Sequence, residues 1–155
     1  MSFVATSSTT TEEPDKITAG EFWPEVDVAD ARVRIRLDGT VTDERLRDAL
    51  VDAIATVCEE LDVWRASQIA LGHESLQDVP AAEIDGENVK VARWHRAVLA
   101  FAKANLTERY ADFDATAAGD KRAEVLNATI EDYRRDARWA ISDILGRPRN
   151  TVELI

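Results

Sequence analysis

The sequence predicts an all-α fold, a small helical domain of about three main helices, because three long segments share one apolar spacing. In each segment the apolar residues recur at steps of three and four, which places them on one face of an α-helix. A β-strand would need alternation with a period of two. The three segments are residues 40–71, 89–110 and 120–145.

The segment 40–71 is the longest, and the other helices must pack along it. Thr42 can cap its N-terminus, and Gly72 is the natural stop. We therefore predict one continuous helix of about 29 residues, roughly 43 Å long at 1.5 Å per residue. Its apolar face comprises Leu46, Leu50, Ala53, Ile54, Val57, Leu61 and Trp64.

The second and third helices carry comparable stripes. The stripe of the second runs from Val91 to Tyr110, and the third helix ends where Gly146 and Pro148 prevent continuation. Basic and acidic residues alternate along the third helix, which allows either intrahelical ion pairs or contact with an acidic neighbour. The basic residues concerned are Arg134, Arg135 and Arg138.

Two connecting regions complete the predicted domain. Alternation in residues 29–37 favours a short strand, although residues 27–36 could also form a helical turn or two, and we leave both open. The aromatic pair Phe22 and Trp23 is expected to anchor the chain on the helical body. Pro80 and Gly86 mark residues 72–88 as a long loop, which three apolar residues should pin to the body: Leu76, Val79 and Ile84.

We therefore divide the chain into a disordered N-terminal arm (1–20), a helical domain (21–146) and an extended C-terminal tail (147–155). The arm is rich in Ser and Thr without sustained periodicity. In the tail, residues 151–155 favour an extended conformation after a sharp helix stop. Such a tail either adds to another surface or packs back on its own body.

Composition limits the functions that the chain can serve. Its 30 acidic and 19 basic residues give a net charge of −11 without any long basic run, which disfavours duplex-DNA binding. No apolar run approaches the roughly 20 residues that span a membrane. No signal peptide is visible, and the single cysteine, Cys58, is expected to be a buried thiol in a reducing cytoplasm.

No enzyme motif or metal-ligand spacing is present in the sequence, so we expect neither catalysis nor a cofactor. His73 lies in the predicted loop and His95 lies beside the stripe of the second helix. His73 lies beside Glu74, and a lone loop histidine is usually a surface residue; for His95, a catalytic role would need a carboxylate or nucleophile partner, and the sequence indicates none. Both are interpreted as structural or surface histidines.

Several blocks, in this order, resemble the head completion (head stabilisation) proteins of tailed bacteriophages, the GPL type. The similarity covers residues 22–155. The blocks are FWP, RLDGTVTDERLRDAL, IDGENV, LTERYADFDATAAGDKRAE and RRDARWAISDILGRPRNTVELI.

This resemblance implies a structural connector and transfers no catalytic residues. Such proteins dock on the phage portal protein after DNA packaging, stabilise the filled head and prepare it for the tail. The resemblance implies a ring of about twelve copies, which needs a head-to-tail interface. It also implies a neck or tail-completion protein as partner, and a position beside packaged DNA. The protein would be in the host cytoplasm during assembly and in the virion neck afterwards.

By the same resemblance, the block DATAAGDKRAE and residues 149–155 are assigned to assembly contacts. The basic residues of the third helix and the start of the tail are candidates from the sequence itself, and together these considerations give a set of expected partner-binding residues. The residues concerned are Arg134, Arg138, Arg147, Arg149, Val152, Leu154 and Ile155. The alternative function is a cytoplasmic helical regulator or antitoxin-like module that binds one soluble protein.

Overall fold

The computed structural model describes residues 15–37, 39–114 and 120–148, and within them the chain is mostly helical. The helices are α1 (Val28–Arg34), α2 (Asp43–Glu60), α3 (Asp62–Ala70), α4 (Val89–Asp114) and α5 (Asp120–Leu145). Two short antiparallel ladders join β1 (Lys16–Ile17) to β2 (Val26–Asp27) and β3 (Glu83–Ile84) to β4 (Glu87–Asn88). The mostly helical prediction is confirmed, but the fold is not strictly all-α, and it has five helices in the described residues rather than about three.

Helix α4 is the centre of the fold. Ala97, Val98 and Leu99 are consecutive and all buried. Because successive residues turn by about 100° on a helix, three in a row cover more than half of its circumference. α2 and α5 both pack on α4, so that α4 lies between them. The bounds predicted for α5 are those observed, whereas α4 extends four residues beyond the predicted end.

The predicted continuous helix over residues 40–71 is wrong, because the chain bends at Leu61 between α2 and α3. Thr42 does cap α2, accepting from the Arg45 N–H at 3.4 Å, and Gly72 follows α3 with φ +94°. Leu61 is fully buried, but no residue of α3 is. Neither glycine nor proline lies at the bend, so tertiary packing rather than local propensity determines it.

Most of the region that favoured a strand is helical, because α1 spans Val28–Arg34, and the alternative of a helical turn or two is confirmed. Asp27 caps α1 by accepting from the Asp30 N–H at 2.9 Å. Val28 and Ala31 are buried one turn apart, while Val33 is 74% exposed. The alternation with arginines therefore does not correspond to two faces of a strand.

An aromatic stack fixes the N-terminal part of the chain to the core. Trp23 stacks on the fully buried Trp94 with ring centroids 5.9 Å apart and planes within 13°. Phe22 meets Trp23 edge to face at 4.9 Å. The predicted anchoring by this pair is confirmed.

The prediction of a disordered arm is wrong for the residues just before this stack. Lys16 and Ile17 pair with β2, and Ile17 is buried. Residues 1–14 of the predicted arm lie outside the described residues.

The loop between α3 and α4 contains a β-hairpin that the sequence analysis missed. Asp85 (φ 54°) and Gly86 (φ 76°) form its two-residue turn, the combination typical of a type I′ turn. Leu76 and Val79 are buried as predicted, but Ile84 is 69% exposed because it lies on the projecting hairpin. Its predicted role in pinning the loop is therefore wrong.

Candidate assembly surfaces

The basic residues of α5 differ in how free they are to meet a partner. Arg134 donates to Glu131 Oε1 at 2.9 Å and to Glu108 Oε2 on α4 at 2.6 Å, and these hydrogen bonds raise the pKa of its guanidinium. Arg135 donates to Asp132 at 2.6 Å and lies 4.8 Å from the Trp139 ring centroid. The intrahelical ion pairs are thus present, and Arg138 is exposed on the same helix.

The C-terminal end of α5 is held firmly at the point where the tail begins. Gly146 has φ +67°, and the Arg147 N–H donates to the Ser142 carbonyl at 2.9 Å. Lys90 Nζ donates to the Ile144 carbonyl at 2.9 Å, satisfying a free acceptor at the negative helix end. Burial lowers the pKa of the Lys90 ammonium group, and the positive charge of Arg93 lowers it further.

The predicted helix stop is therefore confirmed, and Arg147 is exposed immediately after it. The remaining predicted contact residues lie outside the described residues: Arg149, Val152, Leu154 and Ile155. Part of the block DATAAGDKRAE, residues 115–119, lies outside them as well.

Acidic side chains accompany many of the basic ones across the described surface. Among the described residues, five of these pairs join different helices, and seven others are local or join a helix to a loop or strand. The interhelical pairs are Arg32–Asp43 at 2.7 Å, Arg93–Asp143 at 3.6 Å, Arg96–Asp136 at 3.5 Å, Arg109–Asp52 at 3.1 Å and Arg134–Glu108 at 2.6 Å. Exposed pairs of this kind contribute little stability, but each reduces the positive charge available to a polyanion.

The histidines and the cysteine take structural positions. His95 Nε2 lies 3.1 Å from the Glu25 carbonyl, and its Nδ1 lies 3.9 Å from Glu87, so it links α4 to two connecting segments. The backbone N–H of His73 closes the end of α3 by donating to the Gln68 carbonyl. The described residues contain no cluster of three potential metal ligands. Cys58 is half-buried, and burial raises the pKa of its thiol to about 11.

A groove of about 790 Å³, lined by both apolar and charged side chains, lies between β1, α2 and α3. Its floor includes the buried side chains of Ile17, Trp23 and Ile54, and Cys58 lines its wall. At its edges Val51 is 46% exposed and Val63 is 86% exposed. We call this feature the α2–α3 groove.

The sequence analysis missed this groove. Val51 and Val63 are apolar residues that lie outside the apolar stripe of residues 40–71. Their position off the stripe was the signal in the sequence that could have indicated an apolar surface there. A groove also requires β1 as its other wall, and no local pattern placed residues 16–19 beside α2.

The described body is thus a helical one with charge-paired surfaces and one groove of mixed lining. The chain belongs to the phage head completion protein (GPL) family, whose model matches residues 17–155. It is 46% identical over 134 residues to the head completion/stabilization protein of Escherichia phage P2. That match covers 86% of this chain and 79% of the relative. No solved structure matches the chain.

Proposed function

We propose that this chain is a structural protein of a phage virion that completes the packaged head. One observation carries the proposal: the family model matches residues 17–155, which include nearly all of the described body. The similarity to the P2 head completion/stabilization protein, at 46% identity, supports the same role. The resemblance noted in the sequence and the family match agree.

In finer detail, the chain docks on the portal protein after DNA packaging and joins other copies in a ring of about twelve, a closed head-to-tail arrangement. It stabilises the filled head and prepares it for a neck or tail-completion protein. Arg138 and Arg147 are described residues exposed at or near the C-terminal end of α5, and they are our candidates for contacts with the portal. The protein assembles in the host cytoplasm and stays in the virion neck.

Among the described helices, none is both long and apolar enough to cross a membrane.

Co-sedimentation with purified portal rings tests this proposal. We expect the chain to be a monomer or weak oligomer alone and to sediment with the portal when the two are mixed. Arg138→Glu should weaken this association. Arg36→Glu makes the same charge reversal at an exposed residue that follows α1 and should leave the association unchanged.

Failure to co-sediment at concentrations on the order of micromolar would count against the connector role. That result would favour the alternative, a regulator of one soluble protein. Equal weakening by both variants would show that the net charge matters rather than the position of Arg138.

A further inference from the structure

Helix α3 turns its apolar side outward, which is the reverse of an ordinary surface helix. A surface helix usually packs its apolar face on the core and exposes its polar residues. In α3 the half-buried side includes Arg65 and Gln68, whereas Val63 is 86% exposed. Residues three, four and seven positions after Val63 share its side of the helix and are exposed as well. We call this side the α3 outer face: Val63, Ala66, Ser67 and Ala70, with Leu71 at its end.

The α3 outer face carries no charge, although 32% of the residues of the chain are charged. Its single polar side chain is satisfied within the helix, because the Ser67 hydroxyl donates to the Trp64 carbonyl at 2.6 Å. Leu71 at its end is 71% exposed. A contiguous exposed surface that is apolar and uncharged indicates a contact with another protein.

The body holds α3 in place although none of the residues of α3 is fully buried. An isolated helix of this length would be marginal in water. Trp64 anchors its inner side, because its ring lies 6.4 Å from the Phe22 ring between centroids and 5.4 Å from Lys90 Nζ. The outer face is therefore presented by a preformed helix, the form in which an amphipathic helix enters a hydrophobic groove of its partner.

Two α3 outer faces packed on each other would be too small for a stable dimer. The nine residues of α3 are about 14 Å long, so such a contact buries on the order of 300 Å² per copy. Stable interfaces bury about 800 Å² per partner. The pairing would also be two-fold symmetric, whereas a ring joins two different surfaces. The α3 of a neighbouring copy is therefore not the occupant.

The rest of the described chain offers no uncharged apolar surface as a counterpart. Outside α3, its large exposed hydrophobic residues are Val33, Val51 and Ile84. Each has charged residues beside it on its own element, which an apolar contact would have to desolvate. The charged neighbours are Arg32 and Arg34 for Val33, Asp48 and Asp52 for Val51, and Glu83 and Asp85 for Ile84. The occupant is therefore a different protein.

We propose that the α3 outer face docks into an uncharged apolar groove of the portal protein. This inference rests on the proposed function, in which the portal is the protein that the chain binds. Lys90 Nζ, which lies beside the Trp64 ring, also donates to the Ile144 carbonyl at 2.9 Å, so α3 lies at the same end of the body as the end of α5. Arg147, our candidate for a portal contact, follows that end and is exposed. One interface can therefore contain both the α3 outer face and Arg147.

Charge substitutions at Val63, measured by co-sedimentation with purified portal rings, test the inference. Val63→Asp and Val63→Lys should each weaken the association by about ten-fold or more, because an uncharged groove pairs neither sign of charge. Both variants should fold normally, since the side chain is exposed, and the circular dichroism and melting temperature of the isolated proteins verify this. Val33→Asp and Val33→Lys make the same changes at a residue of α1 that is 74% exposed, and they should leave the association unchanged.

Weakening by both Val63 variants and by neither Val33 variant supports the inference. Three results overturn it while the proposed function stands: normal association of the Val63 variants, weakening by only one sign of charge, and equal weakening at Val33 and Val63. The second would show electrostatic attraction rather than an apolar contact, and the third an effect of net charge. If the wild type itself fails to co-sediment, the proposed function is refuted, and the portal is refuted as the occupant with it.

Discussion

The side-chain amide of Asn88 donates a hydrogen bond to the carbonyl oxygen of Val79 at 2.9 Å, and this bond closes the loop between α3 and α4. The same amide donates to the Gln77 carbonyl at 3.2 Å. Its oxygen accepts from the Lys90 N–H at 2.8 Å and so caps α4. Asn88 is 4% exposed, so one buried side chain both starts the central helix and positions the loop before it.

We expect Asn88→Ala to lower the free energy of unfolding by about 2 to 4 kcal/mol. Loss of a helix cap costs about 1 kcal/mol, and each buried carbonyl left without a donor costs about 1 to 3 kcal/mol. Urea denaturation measures the loss. Asn88→Ser keeps a capping oxygen and should recover about 1 kcal/mol of it. Equal stability of the Ala variant and the wild type would show that water replaces the amide.

Arg36 offers a stabilising substitution. It follows α1 with φ +52°, a left-handed conformation that is costly for residues with a Cβ. The Leu37 N–H donates to the Arg32 carbonyl at 3.1 Å, which is the bond that requires this conformation. We expect Arg36→Gly to raise the free energy of unfolding by about 0.5 to 1 kcal/mol, measured by urea denaturation. Arg34→Gly is the control, because glycine inside a helix should lower the free energy of unfolding by about 1 kcal/mol. Stabilisation by both glycine substitutions would contradict this explanation.

Cys58 is expected to react slowly with thiol reagents in the folded protein. Because burial raises its pKa from 9.0 to about 11, the thiolate fraction at pH 8 falls about a hundred-fold. A thiolate of higher pKa is intrinsically more reactive by about ten-fold, so the net rate should be about ten-fold lower than in the unfolded chain. Labelling of folded and urea-unfolded protein measures this ratio. The folded rate should still rise with pH above 9, and a plateau there would contradict the raised pKa.

Deletion of residues 150–155 should separate folding from assembly. The segment follows the closed end of α5, so we expect the helical circular dichroism and melting temperature of the isolated protein to stay nearly unchanged. Head stabilisation should be lost, measured as the retention of DNA by packaged heads. Deletion of residues 1–14, which precede the family match, is the control and should preserve retention. A large loss of thermal stability in the isolated truncated protein would show that the tail packs on its own body.

The free protein should not bind duplex DNA at physiological salt, although its proposed position adjoins the packaged genome. Thirty acidic residues against 19 basic ones produce a field that repels a polyanion. Counterion release requires clustered Lys or Arg, and Arg134 and Arg135 are both paired with carboxylates. Fluorescence anisotropy with a short labelled duplex measures binding. Binding at about micromolar concentration that weakens steeply with added salt would refute this prediction.

The apolar stripes of the sequence were sufficient to predict α2, α4 and α5 and most of the residues that they bury. Such stripes are local, because residues three and four apart share a helix face whatever lies around them. The helix stops at Gly72 and Gly146 could also be predicted, since glycine adopts positive φ at little cost. The Asp85–Gly86 turn carried a signal of the same local kind, which the sequence analysis did not use.

Tertiary structure decided the features that depend on residues distant in the sequence. The bend at Leu61 has no local cause, and Arg134 reaches Glu108 across 26 positions of the chain. The α2–α3 groove exists because Ile17 and Trp23 lie beside α2, which follows from strand pairing and from the stacking of Trp23 on Trp94. Burial and long-range contacts are set when elements pack together, whereas periodicity within one element determines only which of its faces is apolar.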